Sequence, residues 1–93
     1  MKIDEYLILE NAIERYGAEA QEGIAQEECA ELIQAISKKR RGKPHNIDEE
    51  IADVEIMLEQ LKIINNCWKE VDEIKQKKIQ RLKFRLQGVI NDD

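Results

Sequence analysis

A chain of 93 residues allows a single domain over 1–93 with a small core of its own, so self-association is expected to complete its packing. Only four aromatic residues, four glycines and one proline argue against a turn-rich sandwich or barrel, while the supply of Glu, Lys, Gln, Leu, Ile and Ala favours an all-α fold. A net charge of −5 excludes a domain that is basic throughout and follows a nucleic-acid duplex, and no apolar run reaches the length of a membrane span.

Asp4, Glu5, Glu10 and Glu14 break up the stretch where a signal peptide would be apolar, so a cytoplasmic location without a membrane partner is expected. The first helix is predicted over Ile3 to Tyr16, with Ile3, Tyr6, Leu7, Ile13 and Tyr16 as its apolar stripe and Gly17 as its C-terminal cap. The second runs from Ala18 to Arg40 with Ile24, Leu32, Ala35 and Ile36 on one side, and Pro44 stops it. Asn46 is placed to cap the third helix with Glu49 reaching back in a capping box, ahead of the stripe Ile47, Val54, Leu58, Leu61 and Ile64. The fourth, Trp68 to Gln87, uses Val71, Ile74, Ile79, Leu82 and Leu86. Nothing alternates with the period of a strand.

Helices two and three each carry the pattern acid-acid-x-Ala-acid-apolar, as Glu27-Glu28-Cys29-Ala30-Glu31-Leu32 and Glu49-Glu50-Ile51-Ala52-Asp53-Val54. Helical spacing turns Glu28 and Glu31 within about 60° of each other on the apolar side of helix two, and does the same for Glu50 and Asp53 on helix three. Acids on an exposed face are ordinary solvation, which accounts for Glu10, Glu14, Glu22, Glu55 and Glu59. Ionised carboxylates turned inward cost several kcal/mol, on the order of a broken buried ion pair, unless a cation compensates. If the two helices pack antiparallel, the four acids meet, and either a divalent metal ion or a Lys or Arg side chain neutralises them. Four oxygen donors without Cys or His suit Mg²⁺ or Mn²⁺ better than Zn²⁺, and their helical spacing rules out a calcium-binding loop.

These motifs resemble the all-α nucleoside triphosphate pyrophosphohydrolase superfamily, the MazG-like proteins, whose signature is ExxE followed after a spacer by ExxD. Here the pattern is Glu28-x-x-Glu31, eighteen intervening residues, and Glu50-x-x-Asp53, and the likeness covers Gln26 to Leu61. The resemblance implies a four-helix protomer assembling as a dimer or tetramer, with Glu28, Glu31, Glu50 and Asp53 holding Mg²⁺. It also implies cleavage of a nucleoside triphosphate into monophosphate and pyrophosphate, for nucleotide-pool housecleaning. Catalytic roles fall to Glu27, as a group that orients water, and to Glu31. The family's last helix often carries Lys, then Asn four residues on, then Arg three further; here these positions are Lys78, Leu82 and Arg85.

Twelve of the fifteen basic residues lie in Lys38 to Lys43 and in Lys69 to Arg85, and Lys78 and Arg85 share the Leu82 side of helix four. That position suits contact with a triphosphate, and equally suits cations snorkelling from the margin of a core. The loop cations complement a helix C-terminus without any ligand. Trp68, Tyr6, Tyr16, Phe84 and Cys29 are expected to pack, His45 to stand in solvent, and both cysteines to stay reduced. Two further readings compete with the enzyme: a metal- and nucleotide-binding module without turnover, and a helical interaction protein whose carboxylates pair with basic side chains.

Overall fold

The computed structural model describes residues 1–88, so residues 89–93 of the expected domain lie outside the described part of the chain. It contains four α-helices, α1 (Ile3–Tyr16), α2 (Ala18–Arg40), α3 (Ile47–Asn65) and α4 (Trp68–Leu86), and no strand among the described residues. The connections follow the punctuation of the sequence. Gly17 serves both as the end of α1 and the start of α2 at φ 93°, a backbone conformation that side chains with a Cβ rarely adopt, and its N–H donates to Ile13 O at 2.8 Å. The end of α2 is closed by N–H donation from Lys43 to Lys38 O and from Gly42 to Lys39 O, with Gly42 at φ 70°. The end of α3 repeats this device with Asn66 at φ 50° and Cys67 N–H on Lys62 O.

The principal packing is α2 against α3. Gln21 near the start of α2 meets Gln60 near the end of α3, while Glu31 further along α2 meets Glu50 at the start of α3, so the pair is antiparallel. Ala25, Ala35, Val54 and Met57 form its buried apolar centre, and the small alanines allow the close approach of α2. One amide of the Gln21–Gln60 pair crosses this interface: Gln21 Nε2 donates to Gln60 Oε1 at 2.7 Å, with both residues buried. Neither glutamine was part of the predicted stripes, although Gln21 stands at helical spacing from Ile24 and Glu28.

The outer helices depart from expectation. α1 touches α2 and α3 but buries no residue completely; Ile3, Leu7 and Tyr16 of its predicted stripe are exposed, and Tyr6 and Ile13 are half-buried. α4 touches only α3. Its half-buried residues at the near end are Trp68 and Val71, Trp68 being packed on Tyr6 with ring centroids 5.6 Å apart, and every residue from Asp72 to Phe84 is exposed. Phe84 and Cys29 are exposed rather than packed: the far half of α4 meets no other described helix, and Cys29 stands in an open depression between α2 and Leu61 of α3. α4 ends at Leu86, with Gln87 as its cap. No described helix is long and apolar enough to cross a membrane.

Candidate metal centre

The antiparallel register of α2 and α3 brings the two acidic motifs side by side. One carboxylate oxygen from each of Glu28, Glu31 and Glu50 lies within 4.8 Å of the other two. Asp53 adjoins them: it lines a small depression with Glu28, Ile56 and Met57, and its charge bears on both Glu28 and Glu50. Three of the four expected ligands, Glu28, Glu31 and Glu50, thus form one group, and Asp53 stands beside Glu28 at its margin. Glu50 is buried, Glu28 and Asp53 are half-buried, and Glu31 opens to solvent.

Electrostatics sets Glu28 and Glu50 apart from the other acids of the surface. The Glu28 carboxyl is pushed above its ordinary value of 4.5, first by burial and then by the charges of Glu31, Asp53 and Glu50. Glu50 is likewise raised by burial and by Glu31 and Asp53, against a hydrogen bond from Asn46 that lowers it. Glu50 Oε1 accepts from Asn46 Nδ2 at 2.8 Å, whereas Glu50 Oε2 and Glu28 Oε2 are buried with no hydrogen-bond partner. Buried carboxylate oxygens left bare are costly, and a cation is the group that would satisfy several of them together.

Asn46 departs from its predicted capping box. It occupies the cap position of α3, but its side-chain amide donates to Glu50 and, at 3.3 Å, to Glu49 Oε2 instead of accepting from the helix backbone. The amide is oriented by its NH₂ group, whose hydrogen bonds to two ionisable carboxylates are charge-assisted and stronger than the neutral cap bond its oxygen would accept. His45 Nδ1 takes over at the helix start by accepting the Ile47 N–H at 3.3 Å, while the residue itself remains exposed.

The donor set fits a hard divalent cation. Oxygens at about 2.1 Å from one Mg²⁺ stand about 3.0 Å apart when adjacent and about 4.2 Å when opposite, so the three carboxylates would draw together from their present spacing to share an ion. Glu27 is exposed on α2 outside the three-carboxylate group. Lys78 and Arg85 are not brought to it: α4 makes no contact with α2, Lys78 is exposed, and Arg85 is half-buried with Nε lacking a partner. The one ion pair among the described residues is Lys62 with Glu59 at 2.8 Å, so no lysine or arginine of this chain neutralises the cluster. Comparison with family models, curated proteins and solved structures finds no match to this chain.

Proposed function

We propose that this chain is a Mg²⁺-dependent, MazG-like nucleoside triphosphate pyrophosphohydrolase of the cytoplasm, working as a dimer or tetramer in nucleotide-pool housecleaning. The observation that carries the reading is the meeting of Glu28, Glu31 and Glu50 from two helices, with two of their oxygens buried and bare. Glu28, Glu31, Glu50 and Asp53 would hold Mg²⁺ or Mn²⁺, which supplies charge neutralisation for the phosphates and lowers the pKa of bound water. Around it, Glu31 faces solvent and is free to reorient toward a water molecule, and Glu27 borders the site on the same helix. Phosphoryl transfer asks for placed charge more than for a covalent nucleophile, which agrees with a site built from carboxylates alone.

The test is a panel of nucleoside triphosphates incubated with Mg²⁺, with products separated as monophosphate plus pyrophosphate or as diphosphate plus phosphate. The expected products are monophosphate and pyrophosphate, with Glu31→Gln lowering kcat by orders of magnitude because several kcal/mol of charge stabilisation is lost. One observation favours the module that binds without turnover, namely that Lys78 and Arg85 stand on a helix that does not touch α2. Mg²⁺-dependent nucleotide binding without pyrophosphate release would establish that second reading in place of the first.

A further inference from the structure

Between α1 and α3 runs an open apolar groove lined by Ile8, Leu9 and Ile56 together with the carboxylate side chains of Glu5, Glu55 and Glu59. Nothing among the described residues covers it: Ile8 is 65% and Ile56 49% exposed. The opposite composition is found on α4. From Lys75 to Arg85 that helix carries six cations, Lys75, Lys77, Lys78, Arg81, Lys83 and Arg85, and no acid. At helical spacing Lys75, Lys78, Arg81 and Arg85 are interleaved with Ile74, Ile79, Leu82 and Leu86 on one face, and those four apolar side chains are between 48% and 80% exposed.

Glu59 of the groove is paired with Lys62, but Glu5 and Glu55 form no ion pair among the described residues, and the α4 face carries bases without an acid, so the two apolar surfaces are complementary in charge as well. Because both belong to the same sequence, two copies can satisfy each other reciprocally, which is the closed two-fold arrangement. We propose that the C-terminal half of α4 of one copy seats in the α1/α3 groove of a second copy, and the second returns the contact. This rests on the self-association in the reading above and not on its chemistry. Ile56 lines both the groove and the depression beside Glu28 and Asp53, so the seated helix runs to the edge of the carboxylate cluster. It therefore brings basic side chains of the second copy to a site whose own chain supplies none.

A charge exchange tests the pairing without touching the four carboxylates, Lys78 or Arg85. Lys75→Glu with Arg81→Glu reverses the helix, and Glu5→Lys with Glu55→Lys reverses the groove. Sedimentation at micromolar concentration is expected to show a wild-type dimer, each double variant as a monomer, and an equimolar mixture of the two variants as a dimer, since mixing restores opposite charges at both contacts. Should circular dichroism show a double variant to be unfolded, the corresponding Gln pairs replace it, each weakening association about tenfold. A wild-type dimer retained in either double variant overturns the helix-in-groove contact while leaving self-association standing. A mixture that stays monomeric also overturns it. A monomeric wild type overturns both, and so does a wild-type monomer that pellets with phosphatidylglycerol vesicles, which would assign the basic face of α4 to a membrane surface.

Discussion

At Glu50, a carboxylate with 6% of its surface exposed keeps one oxygen on the Asn46 amide and leaves the other bare. Its pKa, like that of Glu28, is raised above 4.5, so the folded state binds a proton more tightly than the unfolded chain does. Stability from these two groups is therefore greatest at low pH, falls as pH rises through 4.5, and is fully lost above their raised folded values. In metal-free buffer Glu50→Gln removes that penalty while keeping an acceptor for Asn46. The variant is expected to melt a few degrees above wild type at pH 7.5, with the gap closing toward pH 4, in calorimetry with EDTA present. A variant that melts below wild type in EDTA would mean that the Glu50 charge is already compensated within the chain.

The helices were legible in the sequence because their ends are written in single residues. Gly17 is required where α1 turns into α2 at φ 93°, whereas Gly23 lies inside α2 with open space around the position of a Cβ. Gly17→Ala is expected to destabilise by about 1–2 kcal/mol, and Gly23→Ala to stabilise by about 0.5–1 kcal/mol, in urea denaturation. The carboxylate site was legible for a related reason: two motifs of helical spacing on consecutive helices, joined by a short loop, leave few antiparallel registers, and the observed one puts Glu31 beside Glu50. The role of Asn46 was not legible, since an asparagine ahead of a helix reads as a cap until the carboxylate beside it is known to be buried. The direction of α4 was not legible either. An amphipathic stripe such as Ile74, Ile79, Leu82 and Leu86 says that a face needs covering and is silent on which surface covers it.

Taken as a whole, the chain has a radius of gyration of 16.5 Å and extents of 49 × 38 × 22 Å, against about 12 Å for a compact domain of this length. The excess is α4 reaching away from a bundle whose buried apolar residues are Ala25, Ala35, Val54 and Met57. So small a core makes stability sensitive to anything that binds the folded state, and the two proposed interactions are a cation between α2 and α3 and a second copy along α1 and α4. Anything that binds only the folded state stabilises it by RT ln(1 + [L]/Kd), about 2.7 kcal/mol at a hundredfold excess over Kd, which for a domain this small is about 10–20 °C in melting temperature. The most direct measurement of the central claim is a melting series in Mg²⁺ and in Mn²⁺ for wild type, Glu50→Gln and Asp53→Asn. A metal-dependent rise is expected for wild type and is largely abolished in both variants, and an equal rise in all three proteins would contradict the assignment of Glu28, Glu31, Glu50 and Asp53 as the metal centre.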